Sequence, residues 1–212
     1  MKKMLIALFM TLPACLFAQL GLKAGINFAN VTNASSINGG SQSGFHAGVL
    51  INVSRGIIGS RTELLYSRQG YSYKSATNTG NVNLDYIVLP QFMAINITKY
   101  VQIQLGAQMA FLINASVDSS NNMSTGNAQA DKIMSYYNRF DYGFGGGIEV
   151  HPVAGLLIGA RINFSMNSMY KDVSSYTGTG TPPSFVPKVD IKSNLFQISA
   201  GWIFGKKTSK KK

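Results

Sequence analysis

Residues 100–114 (YVQIQLGAQMAFLIN) alternate between apolar and polar side chains almost without interruption. Successive side chains of a β-strand point to opposite faces, so this segment predicts a strand with one apolar and one polar face. The apolar face carries Val101, Ile103, Leu105, Ala107, Met109, Phe111 and Ile113. A soluble strand rarely needs so long an apolar row, whereas a tilted barrel strand has to cover the hydrocarbon core of a membrane with one. The segment therefore predicts a membrane-spanning strand.

Further segments along the chain repeat this pattern. Together they predict eight strands, over residues 20–30, 44–54, 58–69, 82–97, 100–114, 140–150, 155–167 and 191–204. The fourth is apolar on both faces in its middle, which leaves its register open, and Pro90 within it removes a ladder hydrogen bond unless it lies at an irregularity. The predicted fold is all-β, an eight-stranded antiparallel up-and-down transmembrane β-barrel.

The predicted connections alternate between long and short. The long ones are residues 31–43, 72–81, 115–139 and 168–190, and the short ones are 55–57, 98–99 and 151–154. Membrane barrels have tight periplasmic turns and longer extracellular loops. We therefore expect the long connections outside the cell and both chain ends in the periplasm.

The two ends of the chain differ in composition from the rest. Residues 1–18 have the parts of an export signal, with Lys2 and Lys3 before an apolar run and a predicted cut before Gln19. Residues 19–205 are then the predicted outer-membrane β-barrel, and residues 206–212 a Lys-rich periplasmic tail. Alternatively, residues 12–15 (LPAC) resemble a lipobox that would make Cys15 an acylated N-terminus. Once residues 1–18 are removed, no cysteine remains for a disulfide or a thiol nucleophile.

The formal net charge of +11 says little about partners. Two lysines lie in the predicted signal and five in the tail, which leaves twelve basic and eight acidic side chains in the barrel. The basic residues neither cluster nor alternate with aromatic ones, so no nucleic-acid partner is expected. Outer-membrane lipid is the expected partner. The tail is either solvated or in contact with anionic headgroups or the cell wall.

Four stretches resemble a known family: the signal ending FAQ, then GLKAGINFAN, LDYIVLPQFMAIN and FQISAGWIF. They are similar to the PorT-like outer-membrane β-barrel family of Bacteroidota, whose architecture is that of eight-stranded OmpA-type barrels. The resemblance covers essentially the whole mature chain and implies an outer-membrane location. The namesake of the family takes part in a protein-secretion and gliding machinery. GKKTSKKK after Phe204 departs from the family pattern, because such barrels usually stop near the final aromatic residue.

Five charged side chains fall on the polar face of their strands: Lys23, Arg61, Glu63, Glu149 and Arg161. Opposite charges in a narrow lumen are expected to pair, because an unpaired buried charge costs several kcal/mol. Glu149 and Arg161 lie on neighbouring strands and are predicted to pair directly. An eight-stranded interior is just wide enough for side chains, so we predict a plug. A gated polar path for small solutes is the alternative.

Aromatic residues of the two longest connections are candidates for contact with a surface or secretion-machinery partner. They are Tyr136, Tyr137, Tyr170, Tyr176 and Phe185. Packing within the loop or on the barrel rim is the alternative. The two histidines, His46 and His151, are predicted at opposite ends of the barrel, which argues against a shared metal site or a catalytic dyad. No catalytic residue, metal or cofactor is predicted, so the chain is not expected to be an enzyme.

The sequence thus predicts an integral outer-membrane β-barrel, expected to be a monomer. Its role would be structural or one of interaction through its extracellular loops, with a link to protein secretion. One alternative is a narrow solute channel. Another is a soluble lipocalin-like carrier, which would place the apolar face inside the barrel and polar groups outside.

Overall fold

Eight antiparallel strands close into a barrel, each hydrogen-bonded to the next along the chain and the last to the first. The computed structural model describes residues 18–31, 40–74, 79–119, 137–169 and 192–205. Its strands are β1 (Ala18–Val31), β2 (Gly40–Arg55), β3 (Ile58–Lys74), β4 (Thr79–Asn96), β5 (Val101–Ser119), β6 (Phe140–Val150), β7 (Leu156–Ser165) and β8 (Ser193–Ile203). The predicted fold class and strand count are confirmed.

No helix within the described ranges is long and apolar enough to cross a membrane.

Several strands run further than the sequence predicted. β3 continues to Lys74 and β5 to Ser119, both beyond the end of their alternating segments. Alternation marks only the part of a strand whose two faces meet different surroundings. Beyond it, polar residues can face either way while the backbone keeps pairing, so the pattern stops before the strand does.

The two ends of the barrel differ in their connections. Tight turns join β2 to β3, β4 to β5 and β6 to β7, and we call this the turn end. Gly56 and Gly155 lie in two of these turns at φ values of +65° and +93°, which residues with a Cβ rarely adopt. The opposite loop end carries the long connections. Most of their residues, together with residues 1–17 and 206–212, lie outside the described ranges.

The strand register fixes the dimensions of the barrel. Paired residues lead from Leu20 on β1 through Ile51, Thr62, Gln91, Ala107, Phe144, Phe164 and Asn194, and return to β1 at Asn30. One circuit therefore displaces the register by ten residues, the shear of the barrel. With the usual strand spacings, this shear gives a tilt of about 41° and a backbone radius of about 8 Å. Such an interior has room for side chains only.

The barrel is apolar outside, and its buried charged and amide side chains point inside. Leu105, Phe144 and Ile158 face outward with 52%, 57% and 46% of their surfaces exposed. Gln104 and Arg161 point into the lumen and are 2% and 4% exposed. A soluble lipocalin-like carrier requires the reverse arrangement, so the structure contradicts that alternative.

Three irregularities interrupt the ladders between the described strands. Between β3 and β4, Thr62 pairs with Gln91 and Leu65 pairs with Val88, but the two residues between them on each strand are unpaired. One of these is Pro90, whose missing N–H predicts the interruption. The register also shifts between β2 and β3 near the loop end. A second register shift lies between β4 and β5, where Asp85 pairs with Asn114 but Tyr86 with Leu112. Asn114 is consequently exposed on the outer side, whereas the sequence pattern placed it on the polar inner face.

Candidate functional site

The charged residues that the sequence placed in the lumen converge there from four strands. Lys23, Arg61, Glu63, Glu149 and Arg161 are each at most 5% exposed. In the middle of the lumen Arg161 donates to both oxygens of Glu63, with Nη1–Oε2 and Nη2–Oε1 distances of 2.9 Å. Lys23 Nζ donates to the same carboxylate at 3.1 and 3.3 Å. Glu63 is therefore shared by two cations.

A second ion pair lies closer to the turn end. Arg61 Nη1 donates to Glu149 Oε1 at 2.6 Å and to Oε2 at 2.5 Å, and Arg61 Nη2 donates to Asn52 Oδ1 at 3.2 Å. The predicted pairing of Glu149 with Arg161 is wrong. In the β6–β7 register Glu149 faces Gly159 and Arg161 faces Gly147, and the tilt of the strands brings β3 across the lumen to both charges.

Gln104 joins the two ion-paired groups. Its Oε1 accepts from Arg161 Nη2 at 2.8 Å, and its Nε2 donates to Glu149 Oε2 at 3.2 Å and to Gln102 Oε1 at 2.9 Å. The Arg161 guanidinium also lies over the ring of Phe92, from the apolar inner face of β4, with 4.0 Å between the Arg161 Cζ and the ring centroid. Together these contacts form one network, called here the lumen network, which consists of the five charged residues and Gln104.

The lumen network contains three cations and two carboxylates. A lone buried charge would destabilise the folded state, but here each carboxylate accepts hydrogen bonds from at least two donors. Next to the network on the turn-end side, Leu50, Leu157 and Ile203 form a fully buried apolar cluster. Salt bridges and apolar side chains thus occupy the cross-section together.

An uncharged polar group lies above the lumen network, towards the loop end. Asn27 Nδ2 donates to Ser67 Oγ at 2.9 Å, and Asn27 Oδ1 accepts from Gln197 Nε2 at 2.9 Å. The same oxygen lies 2.8 Å from Nδ1 of His46, which is buried. This group was not predicted from the sequence, although the parity that located the charges also points its members inward.

Buried apolar and aromatic side chains line the lumen near the loop end. Tyr137 is buried and its hydroxyl lies 3.1 Å from that of Tyr71 on β3. This placement is that of a packed rim residue, not of one exposed to a partner. The other four loop aromatics singled out in the sequence lie outside the described residues: Tyr136, Tyr170, Tyr176 and Phe185.

The turn end opens into a vestibule of about 1040 Å³ whose wall includes Asn52, Asn96, Gln102 and His151. His151 is 6% exposed, and its Nε2 lies 3.1 Å from Glu149 Oε1. His46 lies instead in the polar group near the loop end. Within the described ranges no three His, Cys, Asp or Glu side chains come together as a metal site would require.

Comparison with known proteins identifies the type of barrel. A family model described as "Outer membrane protein beta-barrel domain" matches residues 12–171. Among solved structures, Ail, the attachment invasion locus protein of Yersinia pestis, is 14% identical with a TM-score of 0.47, over 88% of this chain and 99% of that one. Neisserial surface protein A is 14% identical with a TM-score of 0.46, over 88% and 97%. No curated protein matches the chain by sequence.

Proposed function

Because the chain belongs to the outer membrane protein beta-barrel domain family, we propose that it is a scaffold that presents its long connections to a partner at the cell surface. The protein resides in the outer membrane, with lipid against the apolar outer face of its strands. The closed barrel needs no further strand to complete it, so a single copy can carry this function.

The observation that carries the proposal is the filled lumen. Arg161, Glu63 and Gln104 reach one another from three strands, and Arg61 and Glu149 pair just below them. With a backbone radius of about 8 Å, such side chains leave no room for a solute of appreciable size. The parts left for interaction are the outer wall and the connections.

The composition of the connections supports contact with a macromolecular partner. Residues 119–130 (SSNNMSTGNAQA) and 174–183 (SSYTGTGTPP) carry hydroxyls and amides with hardly any charge, and aromatic residues lie within or beside them. Such surfaces bind through hydrogen bonds and buried rings rather than through long-range attraction. The resemblance to the PorT-like family favours a component of a protein-secretion assembly as the partner.

A complementation experiment separates the loops from the lumen. In a strain lacking the gene, we expect reduced protein secretion, surface motility or envelope integrity. A chain in which residues 121–135 are replaced by a Gly-Ser stretch of equal length should fail to restore the affected process. The double variant Arg61→Met/Glu149→Met should restore it, because paired apolar replacements of a buried ion pair leave a barrel intact.

Both variants first have to be found folded in the outer membrane, shown by heat-modifiable migration on gels. Restoration by the loop variant together with failure of the lumen variant would contradict the proposal.

A narrow path for small anions is the second candidate function. The lumen network carries one cation in excess, and the turn-end vestibule leads to it. This path requires side chains of the network to move apart, and conductance in a planar bilayer tests it.

A further inference from the structure

Within the apolar belt, the outer surface of the described strands carries one polar patch. Between Trp202 at the turn end and Phe28 at the loop end, the outward side chains of the described strands are apolar, aromatic, glycine or alanine except at three positions. These positions are Ser60 and Thr62 on β3 and Gln91 on β4, and all three are exposed. Thr62 and Gln91 are register partners, so the three side chains form a single patch, called here the Gln91 patch.

The register gives the depth of the Gln91 patch in the membrane. The line of paired residues climbs from Leu20 to Asn30 over eight strand steps, a rise of about 25 Å at the tilt found above. Gln91 lies three steps along this line, about 9 Å above Leu20. This level is close to the middle of the apolar belt, where no water is available for hydrogen bonding.

The hydrogen bonds within the Gln91 patch leave donors without acceptors. Thr62 Oγ1 donates to Gln91 Oε1 at 2.5 Å, and Gln91 Nε2 donates to Ser60 Oγ at 2.8 Å. A carboxamide has two N–H donors and its oxygen two lone pairs, so one N–H and one lone pair of Gln91 stay unused. The Ser60 hydroxyl hydrogen likewise has no acceptor among the described residues. Polar groups left unpaired in hydrocarbon are costly, which favours a partner surface here.

We propose that the Gln91 patch binds a second copy of this chain within the membrane. The unused donor and the unused acceptor belong to the same carboxamide. Across a twofold axis, each Gln91 can therefore donate to the other, and no foreign group is needed. Polar side chains of this kind join transmembrane segments in lipid.

The surroundings of the Gln91 patch suit a close contact between two copies. Ala107, the register partner of Gln91 on β5, and the short side chains of Ser60 and Thr62 let two barrel walls approach closely. None of the described residues on this part of the surface is charged, so two identical copies do not repel each other here. Such a dimer forms through side chains and needs no free strand edge. It would replace the monomer expected from the sequence.

Sedimentation equilibrium of the full chain in density-matched detergent micelles, at several protein-to-detergent mole ratios, tests this proposal. We expect a monomer–dimer equilibrium for the wild-type chain. Gln91→Leu should weaken the dimer about tenfold, the effect of losing two hydrogen bonds of the strength found between transmembrane segments. The matched control Ile162→Leu, which also places leucine on the outer surface but on β7, should leave the equilibrium unchanged.

The variants also have to keep heat-modifiable migration, which shows that each barrel is folded. A wild-type chain that is monomeric at every mole ratio would overturn the proposal, and a different membrane protein would then have to cover the patch. A dimer that Gln91→Leu leaves intact would overturn it as well, because the contact would then lie elsewhere on the barrel.

Discussion

At the scale of single residues, Glu149 holds together the turn-end half of the lumen network. Its carboxylate accepts from Arg61 and Gln104, and it lies beside the His151 ring. Among the described residues, no other carboxylate lies within ion-pair distance of Arg61. Without Glu149, the fully buried Arg61 guanidinium would keep one acceptor among the described residues, the neutral Asn52.

We predict that Glu149→Ala lowers the free energy of unfolding by about 3 kcal/mol, because an uncompensated buried charge remains. Urea titration of the barrel in lipid vesicles measures it, followed by the fluorescence of Trp202, the single tryptophan. Arg61→Met/Glu149→Met is the control and should recover most of the loss, since it removes both charges. Equal destabilisation by the single and double variants would show that the charges do not pair.

Parity predicted which charges face the lumen, and the structure buries all five. It did not predict their partners. Arg61 and Glu149 lie 88 residues apart in the chain, and Arg161 and Glu63 lie 98 apart. Partners across a barrel depend on its shear, to which every turn and bulge contributes, so neighbouring strands alone gave the wrong pair.

At the scale of elements, β6 shows how closely the strands approach inside the barrel. Gly147 faces the lumen beside Arg161, and a Cβ there would lie 3.0 Å from the Arg161 Cα and closer still to the Ala160 carbonyl oxygen. Gly146 faces outward, and a Cβ there would meet the end of the flexible Leu105 side chain. A larger residue at position 147 would therefore clash with the backbone of β7, whereas one at position 146 would clash only with a side chain that can move.

We predict that Gly147→Ala lowers the free energy of unfolding by about 2 kcal/mol, since the backbone of β7 has to shift. Gly146→Ala is the matched control and should be neutral or slightly stabilising, because the Leu105 side chain can move aside and alanine loses less entropy on folding. The same urea titration measures both. A larger loss of unfolding free energy for Gly146→Ala than for Gly147→Ala would contradict the assigned faces of β6.

The strands themselves were largely predictable from the sequence, and their ends were not. β6 begins and ends where the alternation does, because its apolar face meets lipid over its whole length. β3 and β5 continue past the belt, where the pattern carries no signal. The bulge that turns Asn114 outward adds one residue to β5, and nothing in the local sequence indicates this bulge.

At the scale of the whole molecule, the shear of ten determines how much the barrel can hold. A radius of about 8 Å is filled by the lumen network, the apolar cluster at Leu50, Leu157 and Ile203, and the polar group around Asn27. The outside of the barrel is therefore the part that remains for interaction with a partner. The eight strands and their faces could be predicted from the sequence. The contacts that fill the lumen could not be predicted, because they join strands that are far apart in the chain.

Conductance of the purified protein in a planar lipid bilayer shows whether the lumen is sealed. A lumen sealed by paired charges predicts no stable current steps of nanosiemens size, for the wild-type chain and for Glu149→Ala alike. Reproducible steps of that size in the wild type would show that the lumen network opens and would contradict the scaffold account.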